Sequence, residues 1–223
     1  MKIIVLPIVT VVMSVLGFLL LVRDKKENFS TTENESLPTK IYTRGMLIYS
    51  LVMLFVTVAS SVVFSLFYDN IDIVSGVKNV IFLSILWPIA YIDFKVYRIP
   101  NSFIILGLVC RVVLIPIELF SSGCSFTLLI ADAVAAAALL LSALLCGLCI
   151  KNSIGFGDMK LFLVMGLLLG LDRLWGAVFL SLITSFIIAV VLLITKKKGK
   201  KDAIPFGPAL AIGTYLALLL NVM

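Results

Sequence analysis

Eight apolar runs, at about 3–22, 46–67, 77–92, 102–120, 126–150, 159–171, 174–195 and 204–222, constrain this chain more than any other feature. Most approach the roughly 20 residues that a helix needs to cross a bilayer, which leaves little material for a separate soluble domain. Composition agrees: 62% of the 223 residues are hydrophobic, 13% are charged, and the mean hydropathy is +1.21. Strands of a membrane barrel would instead alternate apolar and polar residues over about ten positions. The expected fold is therefore all-α, a polytopic membrane helix bundle of about eight spans forming one membrane domain over 1–223. The short runs 77–92 and 159–171 keep a seven-span reading open.

Basic residues orient the bundle. Fourteen of the eighteen Lys and Arg fall in alternate loops: Arg23, Lys25, Lys26, Lys40 and Arg44, then Lys95 and Arg98, then Lys151 and Lys160, then the Lys196–Lys201 run. Only Lys2, Lys78 and Arg173 fall on the other side, and Arg111 lies within a span. The positive-inside bias places the larger group in the cytoplasm and both termini outside. The net charge of +6 is thus a topology signal rather than a nucleic-acid footprint, and the Lys196–Lys201 run suits anionic headgroups. No small-x-small cleavage site ends the first run, so it reads as a retained helix. The polar 23–45 stretch, rich in Asn, Ser and Thr, reads as a cytoplasmic connector.

The chain contains no histidine, which excludes Ser-His and Cys-His catalysis and His-ligated metals. Its four cysteines imply no disulfide framework. Cys146 and Cys149 have the spacing of a metal half-site but no partner pair, and read as apolar packing residues.

Carboxylates remain for chemistry. Asp93, in Tyr-Ile-Asp-Phe-Lys-Val-Tyr-Arg-Ile-Pro-Asn, ends the third run, and Asp158, in Gly-Phe-Gly-Asp-Met-Lys, opens the sixth. Two crossings lie between them, and an even number of crossings returns the chain to the same face. Both aspartates therefore belong at the cytoplasmic boundary, where two carboxylates can share a proton and activate water. Gly155 and Gly157 are expected to permit unusual backbone and close approach of a substrate strand, with Asp158 starting a helix. Pro100 forces Ile99 out of helical geometry, and Asn101 is placed to cap the next helix. The Ile-Pro-Phe-Gly-Pro segment at 204–208, with Pro205 and Gly207, converges on the same face and is placed either to line a groove or to start a helix. A plainer reading has both aspartates capping helices or pairing with Lys95, Arg98 or Lys160. Of the remaining charges, Arg111 and Asp132 fall at similar depth and are expected to pair, while Glu118 reaches toward headgroups or water.

Asp93 with Ile99-Pro100-Asn101, the Gly155-Phe156-Gly157-Asp158-Met159-Lys160 block and the 204–208 segment occur together and in order. In this the chain resembles the type IV prepilin peptidases, aspartic membrane proteases with a Gly-x-Gly-Asp motif, over roughly 77–222. The resemblance implies Asp93 and Asp158 as a catalytic dyad, with Gly155, Gly157, Lys160, Pro100, Asn101, Pro205 and Gly207 shaping the site. It also implies prepilin or pseudopilin-like membrane substrates whose basic leader is removed at the cytoplasmic boundary of the inner membrane. No metal or organic cofactor is implied, and the partners are those substrates and the lipid bilayer. Bacterial relatives commonly carry two cysteine pairs between the first two spans, and 23–45 has none, which puts N-methylation of the product in doubt. A small proton- or cation-coupled transporter and an inactive pilin-binding scaffold are the alternative readings.

Overall fold

The computed structural model describes residues 2–29, 44–67, 72–121, 126–149, 155–195 and 204–220. The Lys196–Lys201 run, Lys151, Cys124 and most of the 23–45 connector lie outside them. Every regular element described is a helix: α1 (Lys2–Phe29), α2 (Arg44–Phe67), α3 (Ile73–Val96), α4 (Asn101–Ser121), α5 (Thr127–Cys149), α6 (Phe156–Ile194) and α7 (Gly207–Leu220). Six of the seven are long and apolar enough to cross a membrane. The chain is a multi-pass helical membrane protein.

Apolar sequence makes these helices, and small residues let them pack. In lipid the backbone must bond within each segment, so long apolar runs form helices. Helix α3 is the centre. Of its apolar window, 72% is buried inside the protein, against at most 33% for the other long helices. Around it lie α1, α2, α4, α6 and α7. Gly17 of α1 faces Pro88 of α3, Tyr49 of α2 donates a hydrogen bond to the Trp87 carbonyl of α3 at 3.0 Å, and Gly107 of α4 sits against Val164 of α6.

Helix α6 runs 39 residues but is broken at Gly170, whose φ of 71° and ψ of 175° are open in practice only to glycine. Its first limb, 156–169, lies along α5, with Gly166 on the Ala135–Ala136 backbone and Gly170 beside Asp132. Its second limb packs on α7, where Ser181 meets Gly213 and its Oγ lies 3.4 Å from the Leu210 carbonyl. A straight helix would carry Ser181 about 16 Å beyond Gly170. Instead Ser181 lies within a turn or two of Gly207, at the end where α6 begins, so the chain turns back at Gly170. The two limbs correspond to the expected spans 159–171 and 174–195, joined more tightly than the sequence suggests. Together with α1–α5 and α7 they give eight apolar segments among the described residues.

Other boundaries shift. Helix α3 starts at Ile73, four residues before the expected span, because the Asp72 side chain caps it by accepting the Val74 N–H at 3.2 Å. Lys78 and Glu118 are not at the surface. Lys78 of α3 bonds Glu118 of α4 at 2.9 Å and Asp132 of α5 at 2.7 Å, and Arg111 of α4 bonds Asp132 at 2.6 Å and also Glu118. All four side chains are buried. The expected Arg111–Asp132 pair is present, but Glu118 turns inward rather than toward headgroups, because two cations at the same level compensate it. Cys146 and Cys149 are exposed along α5 rather than packed inside.

Replacing Gly170 by Ala forces an L-residue into a glycine-only conformation and sets its Cβ 2.6 Å from Asp132 Oδ1. The substitution is expected to destabilise the protein by roughly 1–3 kcal/mol or more. Thermal unfolding in detergent checks this, with Gly45→Ala, which meets nothing within 4 Å, expected not to lower the midpoint.

Candidate active site

Asp93 lies in the last turn of α3, one turn before the helix closes. Tyr97 terminates it in the left-handed region (φ 55°, ψ 37°), its N–H donating to the Asp93 carbonyl at 2.9 Å. That closure leaves Phe94 to Arg98 exposed and folds Ile99 and Pro100 back into the protein. The Asp93 side chain is buried, and its Oδ2 accepts the Gly207 N–H at 2.7 Å. Gly207 opens α7, so this amide has no helical acceptor of its own and is available to the carboxylate. A Cβ at Gly207 would lie 2.9 Å from Asp93 Oδ2 and 3.0 Å from Asp93 Cβ, so only glycine admits this contact without displacement.

Asp158 is the third residue of α6, with Gly155 as the N-cap. Its carboxylate reaches back to accept the Gly155 backbone N–H, the acidic half of a capping box. Gly155 has ordinary extended geometry (φ −72°, ψ 147°), so unusual backbone is not what requires glycine there. Space is the reason: a Cβ would sit 3.2 Å from Asp158 Oδ2. Gly157 likewise provides room, with Ile99 Cβ 3.0 Å from where its own Cβ would be. The expectation of unusual backbone at these two glycines is therefore corrected to one of close approach.

Contacts between the three loops bring the carboxylates together. Ile99 packs on Gly157, Lys160 Nζ donates to Asn101 Oδ1 at 3.0 Å, and the Phe162 and Phe206 rings meet edge to face at 5.7 Å. Asp158 lies close enough to Asp93 to feel its charge. Asn101, expected to cap α4, is its first residue and holds Lys160 instead, because that exposed ammonium offers a stronger partner than a backbone amide. Pro100 and Pro205 are both buried and stiffen the entries to α4 and α7. Phe162 escaped the sequence reading. Its signal was available, since four residues past Asp158 places it on the same helical face.

Chemically, this is a pair of carboxylates, each oriented by one backbone amide, at one end of an apolar bundle. Among the described residues no three His, Cys, Asp or Glu side chains group as metal ligands.

Residues 80–194, just over half of the chain, match the model of the type IV leader peptidase family. The chain is 31% identical over 143 residues to the prepilin leader peptidase/N-methyltransferase of Bacillus subtilis (strain 168), an alignment covering 63% of this chain and 54% of that protein. It is 36% identical over 69 residues to the protein of the same name from Aeromonas salmonicida (strain A449), covering 31% of this chain and 24% of the relative. The chain thus spans about half the length, or less, of these curated relatives. No solved structure matches.

Gly207→Ala is expected to push Asp93 off its amide and to cost about 1–3 kcal/mol through overpacking. A lowered unfolding midpoint in detergent, beside an unaffected Gly45→Ala control, is the outcome to look for.

Proposed function

The chain belongs to the type IV leader peptidase family, and on that premise we propose that it is an aspartic endopeptidase that removes the basic leader from prepilin or pseudopilin-like membrane precursors. The observation that carries this reading is the pairing of Asp93 and Asp158, two carboxylates near each other that form no ion pair among the described residues. Two like charges at a membrane edge are costly unless a proton is shared, and that shared proton is what an aspartic mechanism uses.

In the proposed reaction the ionised carboxylate takes a proton from a water molecule as it attacks the scissile carbonyl carbon. The protonated partner then gives its proton to the departing amide nitrogen, so the two exchange roles across a turnover. The Gly207 N–H holds Asp93 Oδ2. In the proposed reaction Oδ1 is the oxygen that meets water or substrate. The Gly155 N–H holds Asp158 in the same way. Gly155 and Gly157 keep the approach narrow but unobstructed, and the Lys160–Asn101 bond ties the two aspartate-bearing loops together.

Orientation follows from the positive loops. Lys95, Arg98 and Lys160 lie beside the carboxylates, which supports a site facing the cytoplasm in a bacterial inner membrane. Cleavage there suits a precursor whose basic leader stays in the cytoplasm while the apolar helix after the cut lies in the bilayer. The proposal is confined to the peptidase reaction and does not extend to methyl transfer.

Reconstituted with a precursor that carries a basic leader and a glycine before an apolar helix, the protein is expected to cut once, at the end of the leader. Asp93→Asn and Asp158→Asn, folded and inserted, are each expected to lose about a thousandfold or more in kcat. Mass spectrometry of the new N-terminus locates the cut and reports any added methyl group. Wild-type cleavage rates in either folded variant would refute the mechanism.

A further inference from the structure

At the end of the bundle away from the carboxylates sits the cluster of Lys78, Arg111, Glu118 and Asp132, which the peptidase reaction does not use. Two cations and two anions balance within it, and each bond but one joins different helices. Lys78 belongs to α3, Arg111 and Glu118 to α4, and Asp132 to α5. Asp132 is its hub, since its Oδ2 accepts from both Lys78 and Arg111. The other oxygen, Oδ1, faces Gly170 at the reversal of α6.

The two carboxylates of the site are carried on helices rooted at this cluster. From Lys78 to Asp93 is fifteen residues of α3, about 22 Å, and from Asp158 to Gly170 is twelve residues of α6, about 18 Å. Helix α5 is keyed to that limb of α6 at two points one turn apart, Gly166 on Ala136 and Gly170 on Asp132. A closed frame results. It runs from Asp93 down α3 to Lys78, across to Asp132 and Gly170, and up α6 to Asp158, where Ile99, six residues past Asp93, packs on Gly157 and closes it.

We propose that Lys78, Arg111, Glu118 and Asp132 are positioning residues for the site, because the lock between Lys78 and Asp132 fixes the axial register of α3 against α6 and so the spacing of Asp93 and Asp158. Arg111 and Glu118 neutralise each other within α4, whereas Lys78 and Asp132 find opposite charges only on other helices. The frame requires the link. A small displacement at the cluster is carried along rigid helices to the reacting groups, where misplacement by an ångström is enough to suppress catalysis.

The variant that separates these roles is Lys78→Met/Asp132→Leu, which leaves Arg111 and Glu118 paired within α4 and removes every ion pair and hydrogen bond from the cluster to α3 and α5. In a background with Cys110, Cys124, Cys146 and Cys149 replaced by Ser, spin labels at the exposed Val96 and Phe156 positions report the spacing of the two loops. The double variant is expected to show a shifted or broadened distance distribution, and without the labels to lose about 100-fold in kcat with KM little changed. Asp132→Glu, which keeps all four charges and lengthens one arm, covers the case in which the double variant does not fold, and it too should move the distance. A distribution identical to that of the labelled parent would overturn the proposal, as would a moved distance with undiminished cleavage. The kinetic arm rests on the peptidase reading. If the parent protein cuts no precursor, that reading fails while the distance still decides whether the cluster sets the register.

Discussion

Burying charge in an apolar, lipid-solvated bundle carries a large desolvation cost, and the arrangement of this protein follows from how that cost is met at its two ends. At one end Lys78, Arg111, Glu118 and Asp132 compensate one another within 2.5–2.9 Å. Removing one partner of such a group leaves an uncompensated charge, so charge balance survives only when members are removed in oppositely charged pairs. At the other end two carboxylates of the same sign lie near each other, each accepting from a backbone amide. Paired charges explain themselves structurally. A like-charged pair does not, and this contrast supports the proposal that the first group serves architecture and the second chemistry.

Glycine lets the bundle bring these ends into register. Gly166 admits the α5 backbone, Gly170 reverses α6, Gly213 admits Ser181, and Gly207 presents its amide to Asp93. The result is a short first limb of α6 that starts among the loops and ends at the ion cluster. Tyr97, held in a conformation that most non-glycine residues avoid, ends α3 soon after Asp93 and returns Ile99 and Pro100 to the protein, where Ile99 meets Gly157.

Much of this was legible in the sequence, and the reasons are physical. Helical architecture follows from apolar run length alone. The placement of Asp93 and Asp158 on one face follows from parity, because two crossings separate them, and it needs no knowledge of the fold. The Arg111–Asp132 pair follows from helix rise. What escaped depends on three-dimensional partners. The sequence around Glu118 points it to the surface because its own span offers it a wet end, whereas Lys78 from another helix draws it inward. Asn101 was given a capping role because its nearest neighbours are backbone amides, although Lys160, 59 residues on, takes its side chain. The tightness of the α6 reversal was hidden because Leu-Gly-Leu-Asp carries no long polar loop, only one glycine whose positive φ no sequence pattern specifies.

The central claim is that Asp93 and Asp158 act as one unit, and the most direct measurement is the kcat of Asp93→Asn/Asp158→Asn beside those of the two single variants. Residues sharing one proton and one reaction are grossly non-additive. The account expects the double variant to be no slower than either single one. Losses that multiply would contradict it and assign the two carboxylates independent roles.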